Sequence, residues 1–323
     1  MSLEEFLSEW NNDSPTLMVH TSGSTGKPKP MLVEKSRMEA SARVTCSFLA
    51  LKPGDTALLC MPLDFIAGKM MVVRALTCGL RLIAVEPQGT PFWEEPVDFA
   101  AMVPLQVWNL LHDTAGRQRL NRVRHLIIGG GAIDDALASA LTGFPNHVWS
   151  TYGMTETLSH IALRRLNGPE KSDFYTPFQG VDLSLTADGC LVIDAPAVHD
   201  GPLITNDIAE LRTDGRFRIL GRRDNVVCSG GIKIHIEEVE RLLHTHVREP
   251  FIITKAPNAR LGEQLVLLTE SDNLTQIADA CRCNLPKYWV PRSFITVPCL
   301  PMTPTGKPAR KEAERLALET SVT

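Results

Sequence analysis

Short apolar runs alternate with helix-like stretches along the first half of the chain. The runs are bounded by Gly, Pro or polar residues, which is typical of buried strands. They cover 16–20 (TLMVH), 56–61 (TALLCM), 81–85 (RLIAV) and 123–128 (VRHLII). Between them, the stretches 36–50 and 68–78 have a helical pattern. This alternation predicts an α/β fold, in which helices cover a largely parallel sheet.

Between residues 177 and 220 apolar and polar positions alternate. The segment VDLSLTADGCLVIDAP (181–196) alternates around Ala187-Asp188-Gly189, which predicts a hairpin. A further short run, RFRIL (216–220), predicts another strand. We therefore expect a small antiparallel β unit to follow the parallel sheet.

The last hundred or so residues show a third pattern. Helical stretches at 236–246 and 308–320 flank strand-like runs at 250–254, 264–269 and 293–297. This predicts a smaller α+β domain after the polar segment GRRDN (221–225), which interrupts the pattern. The expected organisation is a large N-terminal α/β domain over 1–223 and a smaller, mobile C-terminal domain over 224–323.

Composition narrows the class of protein. The chain has 323 residues, which suggests about two domains. Hydrophobic residues make up 44% and charged residues 22%, ordinary values for a globular enzyme with a full core. These values exclude a disordered or collagen-like chain. The formal charge of −4 argues against binding nucleic acid through massed phosphate contacts.

The sequence gives no sign of a membrane or export signal. The apolar stretches are shorter than the roughly 18–20 residues of a membrane span, and the start, MSLEEFLSEW, is acidic. Of the eight cysteines, only Cys281 and Cys283 lie close together, a weak metal signal. We expect reduced thiols in a cytoplasmic protein, most of them in the core.

The segment TSGSTGKPKP (21–30) directly follows a predicted strand. Glycines let the backbone approach an anion, while hydroxyls and lysines supply hydrogen bonds and charge. This favours a phosphate-binding loop over a solvated turn. It is not a Walker A loop, because only two residues separate its glycines and Pro28 follows Lys27. The residues concerned are Thr21, Ser22, Gly23, Ser24, Thr25, Gly26 and Lys27.

Four further motifs carry chemistry, although each alone has an ordinary structural explanation. In YGMTET (152–157), Glu156 is a hard oxygen ligand suited to Mg²⁺, and Tyr152 has a flat face for a purine. In TNDIAEL (205–211), Asp207 can accept hydrogen bonds from a ribose. The others are the glycine-rich GRRDNVVCSGGIKIHIEEVE (221–240) and PMTPTGKPAR (301–310), a loop that presents Lys307.

In this order, the five motifs resemble the signatures of the adenylate-forming superfamily of acyl-CoA synthetases, luciferases and peptide-synthetase adenylation domains. The resemblance runs from about residue 16 to 310. GGGA (129–132), MTETLSHIALR (154–164) and DNVVCSGGIKI (224–234) are similar to the o-succinylbenzoate–CoA ligases of menaquinone biosynthesis. The implied reaction uses ATP, Mg²⁺ and CoA. A carboxylate forms an acyl-adenylate, which the CoA thiol then attacks.

The resemblance also implies roles for individual residues. The loop 21–29 would hold the β- and γ-phosphates of ATP, Lys307 would bridge the carboxylate and the α-phosphate, and Asp224 would be the hinge. Thr155 would contact the α-phosphate and Glu156 would bind Mg²⁺. The adenosine would meet Gly130, Gly131, Ala132, Tyr152, Gly153, Met154, Asp207 and Arg222. The thiol-transfer site would include Ser229, Gly230, Gly231 and Lys233.

The acid pocket is implied by MPLDFIAGKMMVVRAL (61–76), which matches the family segment that lines it. The usual histidine position is Phe65 here, which is a departure. An aromatic dicarboxylate keeps a free carboxylate after activation, and Lys69 is the first candidate to hold it. Arg74, five residues on, need not share its face, and both cations can equally be structural. His160 either points into the pocket or is a buried, hydrogen-bonded histidine.

Family members normally carry a substantial subdomain before the phosphate loop, whereas here the loop begins at Thr21. We therefore expect a partner subunit to cover the exposed face, as in a homodimer. Two alternatives remain open. One is a CoA ligase for another aryl or medium-chain acid, and the other is a non-catalytic adenylate-binding regulatory module. A peptide-synthetase adenylation domain is disfavoured, because no room remains for a carrier domain after Lys307.

Overall fold

The computed structural model describes residues 1–20, 30–131, 133, 135–302 and 308–321. The chain divides into two compact units. One comprises Met1–Ser184, Val192–Ile204 and Leu211–Arg218. The other comprises Leu185–Leu191, Thr205–Glu210 and Ile219–Thr323.

The first unit contains the larger set of helices and strands. Its helices are α1 (Leu3–Trp10), α2 (Lys35–Phe48), α3 (Ile66–Cys78), α4 (Pro104–Leu111), α5 (Thr114–Asn121) and α6 (Asp135–Leu141). Its strands are β1 (Thr16–His20), β2 (Pro30–Glu34), β3 (Thr56–Leu59), β4 (Arg81–Ala84), β5 (Val97–Met102), β6 (Val123–Ile128), β7 (His147–Gly153), β8 (His160–Arg165) and β9 (Thr176–Pro177).

A seven-stranded sheet, ordered β4-β3-β5-β6-β7-β8-β9, forms the centre of this unit. Strands β4 to β7 are parallel, and β8 and β9 are antiparallel additions. Both faces are covered, since Ala57 and Phe99 join one buried apolar cluster while Leu58 and Ala100 join another. The predicted mostly parallel sheet is confirmed, and its double burial explains why its strands have nearly continuous apolar runs.

The strand at 16–20 does not belong to that sheet, so its expected place was wrong. It pairs antiparallel with β2 in a separate two-stranded ribbon, with Met18 opposite Leu32. Leu17 and Val19 are buried, whereas Met18 and Leu32 are 40% and 64% exposed. A short apolar run fits a one-sided ribbon as well as a central strand, so the pattern did not distinguish the two.

The predicted hairpin is present in a four-stranded sheet of order β10-β11-β12-β13. Gly189 adopts φ 81°, and its N–H donates to the Thr186 carbonyl across the turn. The strands are β10 (Asp182–Leu185), β11 (Cys190–Asp194), β12 (Leu203–Leu211) and β13 (Phe217–Arg222). The motif at 205–211 is therefore largely strand.

The C-terminal part of the second unit has the expected α+β architecture, with a sheet of order β15-β14-β17-β16 and β18 parallel to β17. This compact unit begins at Ile219 and takes in two short stretches further upstream, instead of beginning at 224. Its strands are β14 (Val226–Ser229), β15 (Ile232–His235), β16 (Phe251–Asn258), β17 (Gly262–Thr269) and β18 (Ser293–Thr296), and its helices α7 (Ile236–Leu243), α8 (Leu274–Asn284) and α9 (Arg310–Ser321). Among the described residues, no helix has the length and apolar character to cross a membrane.

All eight cysteines are free thiols. Cys46, Cys60, Cys190 and Cys281 are buried, but Cys228, Cys283 and Cys299 are exposed, so only half serve as core residues. In the C-x-C pair one thiol faces the core and the other faces solvent, which disfavours a shared metal ion. In the described part of the chain, no group of three or more His, Cys, Asp or Glu side chains is placed to hold a metal.

Helix α9 is fixed to the second unit by a buried ion pair at its first residue. Arg310 donates to both carboxylate oxygens of Glu240 at 2.7 and 2.6 Å, and also to the Ile253 carbonyl. The Ile253 N–H donates to Glu240 in turn. Glu240 in α7 therefore ties α9 to β16, immediately after the TGKP segment.

We expect Arg310→Ala to destabilise the second unit by about 3 kcal/mol, because it leaves a buried carboxylate unpaired. Urea unfolding of the full chain measures this loss. Arg315→Ala is the matched control, since Arg315 lies on the same helix and its pairs with Glu312 and Glu319 are exposed. Equal unfolding midpoints for the two variants would contradict the structural role of the Arg310–Glu240 pair.

Candidate active site

Two motifs leave the large sheet at the same edge. Strands β6 and β7 are parallel neighbours, with Ile128 opposite Ser150, so the glycines after β6 and the turn after β7 emerge side by side. Gly130 needs its glycine backbone, with φ 76°. In open parallel sheets, the carboxyl ends of the strands are the usual place for ligands. The structure therefore brings Gly130 and Gly131 to the edge where Thr155 and Glu156 lie.

Gly153 ends β7 in a position that admits no side chain. A Cβ there would lie 2.3 Å from the Ser159 carbonyl oxygen and 2.5 Å from the His160 Cα. Both neighbours are backbone and cannot give way easily. This glycine therefore lets the turn at 154–159 fold back closely against the start of β8.

The turn after β7 is a short 3₁₀ helix, Thr155–Thr157, whose last residue carries a buried hydroxyl. Thr157 accepts the Met154 N–H at 3.0 Å, and its own proton is shared between the Met154 and Ser159 carbonyls at 3.0 and 2.7 Å. Thr155 is buried, whereas Glu156 is exposed. The turn thus holds Glu156 as an available hard oxygen ligand, which fits a Mg²⁺ shared with phosphate oxygens.

Tyr152 is 9% exposed, and most of its ring is covered by protein. It packs edge-on against Phe217 at 5.1 Å and tilted against Tyr175 at 5.8 Å, and these two rings stack on each other. The cluster rigidifies this end of β7. The assignment of Tyr152 to adenine stays a prediction, and the packing leaves little of the ring for it.

Arg74 is a fully buried cation on α3. Its Nη2 donates to Ser159 Oγ at 2.6 Å. Among the described residues, the only hydrogen-bond contact of Nη1 is the Met71 sulfur at 3.9 Å, and Nε has no partner. Among the described residues, no carboxylate lies within ion-pair distance of it. Burial lowers the pKa of Arg74 to about 10, so the guanidinium stays charged at neutral pH. An unpaired buried charge is costly, which marks this position as a candidate anion site.

His160 lies beside this cation. Its Nδ1 is 3.2 Å from Ser159 Oγ and its Nε2 is 3.2 Å from Thr45 Oγ1 on α2. Burial, with the nearby Arg74 charge, lowers the pKa of His160 well below its usual 6.5. The ring also borders a small cavity of about 30 Å³. His160 is therefore a buried, hydrogen-bonded histidine that also borders a cavity, and its place in the acid pocket stays a prediction.

Lys69 faces a different neighbour, although it shares α3 with Arg74. Its Nζ lies 3.3 Å from the Met1 sulfur and 5.3 Å from the centre of the Phe6 ring, both of the N-terminal segment. Burial lowers the pKa of Lys69, partly offset by Glu9 and Asp64. Phe65, which stands at the usual histidine position, is 51% exposed. The structure thus groups Arg74, and not Lys69, with His160.

In the second unit the structure brings Asp207, Arg222 and Asp224 together. Arg222 Nη1 donates to Asp207 at 3.1 Å, and its Nη2 lies 3.6 Å from Asp224. Thr205 Oγ1 accepts the Asp207 N–H, which orients the residue on β12. The two residues assigned to the ribose are therefore direct partners.

Ser229, Gly230, Gly231 and Lys233 form a β-hairpin and not a linker. Gly230 and Gly231 connect β14 to β15 with φ 59° and 84°, a conformation that favours a two-glycine turn. The Gly230 N–H donates to the Leu261 carbonyl, and Lys233 is exposed. Their assignment to thiol transfer stays a prediction.

Several assigned residues lie outside the described part of the chain. They are the phosphate-loop residues Thr21 to Lys27, Ala132 and Lys307. Their roles rest on the motifs alone.

Ser159 and Thr45 were missed by sequence reasoning. Ser159 stands between the magnesium motif and His160, and this adjacency was an available signal. Thr45 has no such signal, because a threonine within a helical pattern gives no indication of a partner 115 residues away.

Comparison with known proteins identifies the family. The chain matches the AMP-binding enzyme family over residues 4–194 and belongs to it. The class defined by the fold and the relatives is that of the AMP-forming acyl-CoA synthetases. The predicted superfamily and its mixed α/β fold are thereby confirmed.

The relatives include 2-succinylbenzoate–CoA ligases. The one from Bacillus cereus strain ATCC 10987 is 25% identical over 96% of this chain and 72% of its own length. The one from Salmonella typhimurium is 28% identical over 90% of this chain and 66% of its own length.

Among solved structures, an acyl-CoA synthetase (AMP-forming)/AMP-acid ligase II-like protein from Dyadobacter fermentans is 32% identical. It covers 99% of this chain and 93% of its own, with a TM-score of 0.67. A second structure is the o-succinylbenzoate CoA synthetase from Bacillus subtilis in complex with ATP and magnesium. It is 22% identical, with a TM-score of 0.75, and the match covers 91% of this chain and 69% of that protein.

Proposed function

We propose that the chain is an ATP-dependent acid–CoA ligase whose acid is o-succinylbenzoate. The carboxylate oxygen attacks the α-phosphorus of ATP, the bond to the β-phosphate breaks, and pyrophosphate leaves. The CoA sulfur then attacks the acyl carbon, loses its proton and releases AMP. The proposal includes the cytoplasmic setting and the homodimer expected from the sequence.

One observation carries the choice of acid. Arg74, a buried guanidinium whose Nε has no partner among the described residues, lies against Ser159, three residues beyond Glu156. o-Succinylbenzoate keeps one carboxylate when the other is activated. That free carboxylate supplies the negative charge that Arg74 lacks within the described chain. A monoacid such as benzoate leaves the cation unpaired.

The nucleotide roles follow the family motifs. Residues 21–27 would receive the β- and γ-phosphates, Thr155 the α-phosphate, and Gly130, Gly131 and Ala132 the adenine. Glu156 would hold Mg²⁺, which offsets phosphate charge when it is bound. Asp207 with Arg222 would meet the ribose, and Lys307 would meet the charge that develops on the α-phosphate.

The substrate assignment is tested by CoA-thioester formation with ATP, Mg²⁺ and CoA. The panel is o-succinylbenzoate, benzoate, octanoate and a mixture of amino acids. We expect kcat/KM for o-succinylbenzoate to exceed that for benzoate by about 100-fold. The reason is that only o-succinylbenzoate has a second carboxylate for the enzyme to bind.

Other outcomes are equally informative. Preference for another acid would keep the chemistry and remove the menaquinone assignment. ATP binding with neither thioester formation nor ATP–pyrophosphate exchange would favour the regulatory module.

A further inference from the structure

A chain of hydrogen bonds connects Arg74 to the backbone of α2. It passes from Arg74 through Ser159, His160 and Thr45 to the Ser41 carbonyl, with steps of 2.6, 3.2, 3.2 and 3.1 Å. All five residues belong to the first unit. The direction of each hydrogen bond can be worked out from the terminal group, which can only accept.

That end is the Ser41 carbonyl, which can only accept. Thr45 has a single hydroxyl proton and donates it there, a bond from residue i to i−4 along the helix. Its oxygen must therefore accept from His160, so His160 carries a proton on Nε2. Since the burial of His160 favours its neutral form, Nδ1 is an unprotonated acceptor.

The rest of the chain follows. Ser159 lies 3.2 Å from that acceptor and donates its proton to it. The Ser159 oxygen is then left as an acceptor for Arg74 Nη2, and every bond points from Arg74 toward Ser41. In the other direction, a proton of Ser159 would face a cation.

We propose that Thr45 and His160 are positioning residues for the acid substrate. They direct the Ser159 hydroxyl proton toward His160 Nδ1. The Ser159 oxygen therefore stays available to accept a hydrogen bond from Arg74 Nη2. The Arg74 Nε, and Nη1 beyond its weak sulfur contact, are then left for a carboxylate. This inference rests on the proposed function, since it assigns the acid to Arg74.

The charged surroundings of His160 are simple. Arg74 on α3 is the cation beside it, with the thiols Cys46 and Cys78 close to that guanidinium. His160 also contacts the hydroxyls of Ser159 and Thr45 and the Phe178 ring, which is 5.4 Å away. Removing the Thr45 hydroxyl is therefore the most specific way to disturb this series of hydrogen bonds, because it changes no charge.

The test compares Thr45→Val, which keeps the shape of the side chain, with Thr45→Ser, which keeps the hydroxyl. Nitrogen-15 NMR of histidine-labelled full-length protein reports the His160 tautomer, and its signal is assigned by its loss in His160→Gln. We expect the Nε2–H tautomer in the wild type and in Thr45→Ser, and a shift toward Nδ1–H in Thr45→Val.

Kinetics provide the second readout. We expect Thr45→Val to raise KM for the acid about five- to tenfold, with kcat and KM for ATP changed less than about twofold. Thr45→Ser should restore the wild-type KM, a rescue that mere loss of packing would not give. An Nδ1–H tautomer in the wild type, an unchanged tautomer in Thr45→Val or equal KM values for the two variants would overturn the proposal.

The tautomer measurement needs no substrate, so its failure is distinct from that of the proposed function. If the wild type prefers another acid, the o-succinylbenzoate assignment fails while the tautomer result stands. The KM comparison is then made with the acid that is turned over.

Discussion

Replacing Lys307 with alanine is expected to lower the rate of acyl-adenylate formation by about 10²–10³-fold. The reason is that adenylation builds negative charge around the α-phosphate, and Lys307 would supply the cation that meets it. In the attack of CoA on a supplied acyl-adenylate, the moving loop would have withdrawn Lys307, so this second step should fall less than about threefold. ATP–pyrophosphate exchange measures the first step, and thioester formation from synthetic acyl-adenylate measures the second.

Lys311→Ala is the matched control for this experiment. Lys311 is exposed on α9, four residues after Lys307, and carries the same charge. Its replacement should leave both half-reactions unchanged. Equal losses in both half-reactions for Lys307→Ala would remove its specific role in adenylation.

Arg74→Met is expected to have opposite effects on activity and stability. Activity with o-succinylbenzoate should fall about 100-fold in kcat/KM, because the second carboxylate loses a charged hydrogen-bond partner. The free energy of unfolding should rise by about 1–3 kcal/mol, because a buried cation without a carboxylate partner is replaced by an apolar side chain. Steady-state kinetics and urea unfolding measure the two effects.

Lys69→Met distinguishes between the two candidate cations. Lys69 is on the same helix, but its amine lies against Met1 and Phe6, away from Ser159. We expect its replacement to leave KM for the acid nearly unchanged. If Lys69→Met raises that KM and Arg74→Met does not, the free carboxylate binds at Lys69, the first candidate from the sequence.

The sequence predicted local structure better than strand pairing. The runs at 56–61 and 123–128 became β3 and β6, and the Asp188-Gly189 turn became a hairpin, because each depends on neighbouring residues. The partner of 16–20 depends on residues beyond the loop that follows it, and a short apolar run does not encode that choice. The strand at Val97–Met102 was overlooked for a related reason, since its DFAA core lacks a strong β-branched pattern.

The motifs at 152–157 and 205–211 were proposed from their residue types. The structure places Asp207 beside Arg222, and their assignment to the ribose stays a prediction. The preference for Arg74 over Lys69 needed the fold, because Ser159 lies 85 residues away in sequence. The direction of the hydrogen bonds through Thr45 needed atomic distances.

The small ribbon β1–β2 has a consequence for how the phosphate loop can change. His20 and Pro30 face each other across the ribbon, so the segment between them enters and leaves the fold at one point. Pairing of β1 with β2 already holds the two ends of this segment together. The entropic cost of closing a loop grows only slowly with its length. Insertions or deletions between these two residues should therefore change the free energy of unfolding little and leave the register of the seven-stranded sheet unchanged.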